Sequence, residues 1–250
     1  MTCAIKSLVG LACAAALLCA GLLAGKADAQ DSGRSKPVIE LFTSQGCDSC
    51  PPADILLEKY IDRGDVIALS LSVDYWDYLG WRDTLASPKF SNRQRAYARS
   101  RRDGEVYTPQ AVVNGVSHVV GSDGRAIERA LRQTRRSLNR YQVPLKVWAE
   151  GNELIIEAGA SSKPIQGTIW LALIKKEVPV SVKRGENRGK RLNYHNVVRD
   201  LTPIGKYSGK PVTLTLPKRE WMRLGADGCT VLLQLDDAGP IIAAAEMQDW

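Results

Sequence analysis

Apolar and polar positions follow two rhythms along this chain, and the change between them falls at about Val143. Before it, short unbroken apolar runs are separated by stretches of helical period. Val38-Ile39-Glu40-Leu41-Phe42-Thr43 and Val66–Val73 read as buried strands. Between them Asp54–Ile61 reads as a helix continuing to about Arg63, with Pro51 or Pro52 tolerated in its first turn. A strand, a helix and a strand imply a right-handed crossover and a parallel pair. Ser87-Pro88 opens a second helix to about Arg102, rich in arginine. Gln110–Val113 and Val116–Val120 flank Asn114-Gly115, the strongest short hairpin signal. Arg125 to about Leu138 is a third helix, with Ile127, Ala130, Leu131 and Leu138 on one face.

The order over residues 37–141 is thus β-α-β-α-β-β-α. Over residues 142–250 the texture is that of an all-β sandwich. Apolar and β-branched runs recur at Leu145–Ala149, Glu153–Ala158, Thr168–Lys175, Val178–Val182, Tyr194–Leu201, Val212–Leu216, Thr230–Leu235 and Ile241–Ala245. Turn signals such as Glu150-Gly151-Asn152, Gly205-Lys206 and Ala238-Gly239-Pro240 separate them.

Residues 1–29 read as a leader and not as part of the fold. Lys6 gives a basic start, Leu8–Leu23 an apolar run, and Ala27-Asp28-Ala29 the small residues of a cleavage site. Cleavage after Ala29 leaves a mature chain from Gln30, with a loose polar stretch over 30–36, in the periplasm or secreted. The apolar run is short for a span and no second one approaches spanning length, so stable membrane insertion after cleavage is not expected. The leader takes Cys3, Cys13 and Cys19 with it. Cys47, Cys50 and Cys229 remain, an odd number that excludes a disulfide framework. Cys229, before the apolar run Val231-Leu232-Leu233, reads as a small buried hydrophobe.

The chemistry concentrates at Gly46-Cys47-Asp48-Ser49-Cys50-Pro51-Pro52, between the first strand and the first helix. Three readings are open. The first is a redox pair: a helix start favours a thiolate at Cys47, the more exposed sulfur, and Cys50 resolves the mixed disulfide. The second is a structural disulfide. The third is half of a zinc site, for which only His118 and His195 are available as nitrogen ligands. Asp48 between the two cysteines disfavours the thiolate and points to a less oxidising couple than a basic residue would give.

The cysteine pair, the element order and Thr108-Pro109 ahead of the hairpin together resemble the thioredoxin fold, from Lys36 to about Arg140. That resemblance implies a cis proline at Pro109 facing Cys47 and Cys50, with Thr108-Pro109 as the second wall of a substrate site. The acid of thioredoxin itself falls where this chain has Leu41, so Glu40 is not its equivalent. Closer still, Glu40 to Asp54, Val73–Tyr78, Tyr107–Gln110 and Arg184-Gly185-Glu186-Asn187 look like the secreted family catalogued as domain of unknown function 1223. It implies export and a fold, but no established activity.

Asp74–Trp81 follows the second strand, on the edge where open α/β sheets gather ligands. Trp76, Tyr78 and Trp81 are candidates to line a substrate groove, and Asp74 or Asp77 to carry a proton for a thiol; packing and turn-fixing are the plainer roles. His118 and His195 read as structural histidines. The formal charge is +7, of which the leader carries +1. This modest excess, without a reader motif, excludes nucleic acid as a partner. The cations of 175–191 read as a solvated loop face that could also dock an acidic partner. No cofactor or resident metal is called for. The expected partners are protein thiols or disulfides of the cell envelope and a redox partner; the alternative is a non-enzymatic envelope binding module.

Overall fold

Side chains on a strand alternate between faces, and Val38–Thr43 (β1) is apolar on both, so it needs a cover on each side. A computed structural model describes residues 35–248 and supplies both covers. The expected leader and most of the stretch to residue 36 lie outside the described residues. Ser35 and Lys36 are held against the end of the chain: Ser35 Oγ accepts from Ala244 N at 2.6 Å, and Lys36 pairs with Glu246 at 2.9 Å. On one face of β1, Ile39 and Leu41 meet helix α1 (Pro51–Arg63) through Ala53, Leu57 and Tyr60. They also meet helix α3 (Gly124–Asn139) through Ile127, Ala130 and Leu131. The side chain of Leu138 lies outside those described. On the other face, Val38 and Phe42 meet Phe90 and Tyr97 of α2 (Pro88–Arg101). Ser87 caps α2, its side chain accepting from Lys89 N.

β1 pairs in parallel with β2 (Ile67–Ser72) and antiparallel with β3 (Gln110–Val113), which pairs with β4 (Ser117–Val120). The β3–β4 turn has Asn114 and Gly115 both at positive φ, 51° and 67°. Asn114 also ties the sheet together. Its side chain accepts from Val38 N at 2.6 Å and donates to Thr134 Oγ1 at 2.7 Å. A Cβ on Gly115 would lie 2.8 Å from the carbonyl of Gly239. Gly115→Ala is therefore expected to cost about 1–3 kcal/mol, read as a lower urea midpoint at unchanged slope. An unchanged midpoint would refute the close seating of this hairpin.

The change of texture at Val143 does not end the sheet. The remaining strands are β5 (Leu145–Glu150), β6 (Glu153–Ala158), β7 (Gly167–Ser181), β8 (Arg191–Tyr207), β9 (Val212–Pro217), β10 (Gly228–Leu235) and β11 (Ile241–Gln248), with a short helix α4 (Lys218–Trp221). Four of them continue the first sheet, giving eight strands in the order β11-β10-β7-β8-β2-β1-β3-β4. The junction is a parallel contact of β8 with β2 at Val197 and Ser70. An unpaired β2 edge would leave backbone donors and acceptors without partners, and β8 supplies them. β5, β6 and β9 form a separate antiparallel sheet. It closes over Ile169, Leu171 and Leu173 of β7 and Val231 and Leu233 of β10, so the expected sandwich shares a layer with the α/β half.

Two runs expected as separate strands, Thr168–Lys175 and Val178–Val182, are one long β7, and Gly205-Lys206 lies inside β8 instead of in a turn. Gly205 reports close approach: a Cβ there would be 2.9 Å from Leu214 Cδ1. Among the described residues no helix is long and apolar enough to cross a membrane.

Candidate functional site

β1 ends at Thr43, and the chain turns at once. Ser44 Oγ accepts from Gly46 N at 3.1 Å, and Cys47 N donates to Ser44 O at 3.2 Å. Cys50 sits at the cap of α1, its carbonyl accepting from Ala53 N at 2.8 Å and Asp54 N at 3.2 Å. Cys47 and Cys50 are joined in a disulfide with their Cα atoms 5.4 Å apart. The turn is fastened from below by Asp83, whose carboxylate accepts from Gln45 N and Leu85 N, each at 2.8 Å. Burial, against those hydrogen bonds, pushes the Asp83 carboxyl up to about 6.

The Thr108–Pro109 bond is cis. Phe42 of β1 faces Gln110 of β3, so Pro109 lies across from the end of β1, where the cysteine turn begins. A Cβ on Gly121 would touch both Pro109 Cβ and Ala53 Cβ, at 3.1 and 3.2 Å, which puts the proline against the first turn of α1. Trp76 bridges the two walls. Its Nε1 donates to Thr108 Oγ1 at 2.7 Å, and a Cβ on Gly46 would lie 3.1 Å from its own Cβ. Tyr78 stacks on Trp76 with centroids 6.4 Å apart and is exposed. Trp81 turns inward instead, donating from Nε1 to Gln45 Oε1 at 2.8 Å.

Both cysteines are buried, with Cys47 the slightly less enclosed of the two. Cys47 is 2 % exposed and Cys50 0 %. The β7–β8 tip reaches this turn, which no local signal foretold. Asn187 is fully buried, and its Nδ2 donates to the carbonyls of Gln45 at 3.0 Å and Cys47 at 2.7 Å. Only the likeness of Arg184-Gly185-Glu186-Asn187 to a family segment singled it out.

The two carboxylates proposed as proton carriers have local partners. Asp74 accepts from Ser91 Oγ, and Asp77 Oδ1 accepts from Asp83 N at 3.0 Å. Glu40 faces α2, where it pairs with Arg93. The acid that lies under the cysteine pair is Asp54, one helical turn beyond Cys50. Both its oxygens are buried without a hydrogen-bond partner, as are the hydroxyls of Thr43, Ser70, Ser72 and Tyr194. Thr43 and Ser72 are register partners, and Ser70 shares their face. Burial first, and the Asp83 charge in the same direction, push the Asp54 carboxyl up to about 8, with Thr43 opposing. A signal for it existed: Asp54 falls on the same helical stripe as Ala53, Leu57 and Tyr60.

The two histidines are engaged away from the pair. His118 Nδ1 meets Tyr107 Oη at 2.9 Å and its Nε2 meets Asp103, while His195 lies beside Glu58 and Asn193. Among the described residues no group of three or more His, Cys, Asp or Glu side chains is arranged to hold a metal ion. Cys229 is buried in the core between the two sheets, and burial pushes its thiol up to about 12.

These features define a mixed α/β protein with a disulfide-bonded Cys-x-x-Cys turn at the head of a helix and a cis proline on a neighbouring strand. The chain belongs to the family described as "Protein of unknown function (DUF1223)", which matches residues 38–234. It is similar to a structural-genomics target from Agrobacterium tumefaciens solved by X-ray crystallography. The two are 39% identical over 86% of this chain and 95% of that one, with a TM-score of 0.77. A match to OgpA from Akkermansia muciniphila, at 10% identity over 42% of this chain and 25% of that one, has a TM-score of 0.24 and carries no argument. No curated protein matches.

Proposed function

We propose that this chain is an exported thiol–disulfide oxidoreductase of thioredoxin-like type, working in the cell envelope on protein thiols or disulfides. The observation that carries this reading is the Cys47–Cys50 disulfide at the head of α1. The β4-β3-β1-β2 order and the cis Pro109 beside the cysteine turn support it.

A partner thiolate attacks Cys47 Sγ. The Cys47–Cys50 bond breaks, and Cys50 leaves as a thiolate. In this reading Asp54, one helical turn beyond Cys50 and with its carboxyl pushed up by burial, gives that thiolate a proton. A second partner thiolate then attacks the mixed disulfide and releases Cys47. Two electrons pass from the partner to this protein, and the reverse sequence reduces a partner disulfide. Trp76 and Tyr78 offer the partner an aromatic wall, Trp81 backs the turn, and the Thr108–Pro109 segment would pair with an extended substrate strand.

In a glutathione buffer, the wild-type protein is expected to catalyse disulfide formation in a reduced secreted protein. Cys47→Ser should lose this at least about a hundredfold, and Cys50→Ala should retain substrates as mixed disulfides on Cys47. Failure of the wild type to turn over any protein dithiol or disulfide would sink the proposal. A second reading, a binding module with a structural disulfide, is favoured by one observation, the enclosure of both sulfurs. It requires that Cys47→Ser lower stability and leave partner binding intact.

A further inference from the structure

The β7–β8 arm is 140 positions away in sequence from the cysteine turn that it holds. Its tip, residues 182–190, is shaped by its own backbone bonds. Val182 N donates to Lys190 O at 3.0 Å, Gly189 N to Val182 O at 2.9 Å, and Arg188 N to Gly185 O at 3.1 Å. The root of the tip is seated by Val180 and Val182 against Leu85, Tyr194 and Val197.

The grip on the cysteine turn is far smaller. Among the described residues the tip's side-chain hydrogen bonds to that turn come from Asn187, which places both amide hydrogens on the carbonyls of Gln45 and Cys47. Its Oδ1 accepts from Lys190 Nζ at 2.8 Å, which fixes the direction of the amide. Exposed cations surround this clasp: Lys183, Arg184, Arg188 and Arg191.

Disulfide exchange requires an incoming thiolate to reach a sulfur in line with the bond that breaks. Cys47 is 2 % exposed with Asn187 on its carbonyl, which leaves an incoming thiolate little room to approach. We propose that Asn187 is a positioning residue that gates the Cys47–Cys50 disulfide. The protein alternates between a closed state, with Asn187 on the Gln45 and Cys47 carbonyls, and an open state in which the tip is lifted and Cys47 can be attacked. This deepens the oxidoreductase reading by assigning the control of access to its site. Two hydrogen bonds from one side chain are weak enough to break repeatedly and strong enough to keep the open state rare.

The test uses the oxidised mature protein and dithiothreitol, followed by alkylation of the thiols produced. A dithiothreitol thiolate attacks Cys47, Cys50 leaves, and the second dithiothreitol thiol closes its ring and frees Cys47, so that two electrons enter the protein. Asn187→Ala is expected to be reduced roughly ten to a hundred times faster than wild type. Lys190→Met, which disturbs only the orientation of the amide, should fall between them. If Asn187→Ala folds poorly, Lys190→Met alone decides, and a threefold or larger gain supports the gate. Val231→Ala, in the core between the two sheets, lowers global stability without touching the tip and should leave the rate unchanged. Wild-type rates in both tip variants would overturn the proposal, as would equal acceleration in Val231→Ala, since exchange would then run through general unfolding. The assay needs no protein partner, so a protein that turns over no substrate can still be gated, and the two proposals fail separately.

Discussion

Arg93→Met is expected to destabilise the protein by about 3–5 kcal/mol, the largest loss for a residue outside the cysteine site. Glu40 sits in the middle of β1 with no solvent exposure. Arg93 reaches it from α2, with Nε 2.5 Å from Oε1 and Nη2 3.2 Å from Oε2. The rest of the guanidinium is also spoken for. Nη1 donates to Gln234 Oε1 at 3.0 Å, Nη2 donates to Tyr97 Oη at 2.8 Å, and the group lies over the rings of Tyr97 and Trp170. Methionine fills much of the space but leaves a carboxylate in the interior with Tyr97 as its remaining hydrogen-bond donor.

The cost lies in the stranded charge more than in the lost attraction, so it should reverse when the charge is removed. Adding Glu40→Leu to Arg93→Met is expected to recover most of the loss, because a buried ion pair gains little over apolar packing. Urea denaturation of the two variants checks this. A double variant as unstable as the single one would show that the arginine acts by packing alone.

Asp54→Asn should change stability in the opposite direction. An unfolded chain releases the Asp54 proton near the ordinary carboxylate value of 3.8, whereas the folded protein holds it up to about 8. The folded state therefore binds more protons between those values, and stability falls as the pH rises through that window. Below pH 4 the group contributes no penalty; above pH 8 the penalty is complete. Asparagine carries no charge and can donate to Thr43 as the protonated acid would. The variant should match wild type near pH 4 and exceed it by several kcal/mol, in order of magnitude, at pH 8. Melting temperatures across that range decide the matter: parallel curves for the two proteins would show that Asp54 is ionised in the fold and solvated by some route. Asp83, pushed to about 6 for the same leading reason, adds a slope of the same sign over a narrower pH window.

What could be read ahead of the structure follows the range over which each interaction acts. The elements from Val38 to Asn139 depend on periodicity, proline positions and one Asn-Gly turn, all local, and their order emerged in full. The cysteine turn and the aromatic segment after β2 were legible for the same reason, whereas the cis bond at Thr108–Pro109 was expected only from the resemblance of the whole pattern to a known fold. The pairing of β8 with β2 was not, because nothing in Tyr194–Leu201 says which distant edge it will satisfy. The roles of Asp74 and Asp77 turned on neighbours, Ser91 and the Asp83 backbone, that only folding supplies. Asp54 stood in plain view on an apolar stripe. Asn187 did not, since its partners are two main-chain oxygens that carry no mark in the sequence.

The separation between Cys47 and Asn187 also has a consequence for the order of events in a newly made chain. A ribosome delivers the cysteine turn long before it delivers the clasp, so each nascent molecule presents both thiols uncovered. Under the proposed gate, oxidants and reductants met in that interval would act on an open site and those met later on a shut one, so the arm would pace only the later changes of redox state.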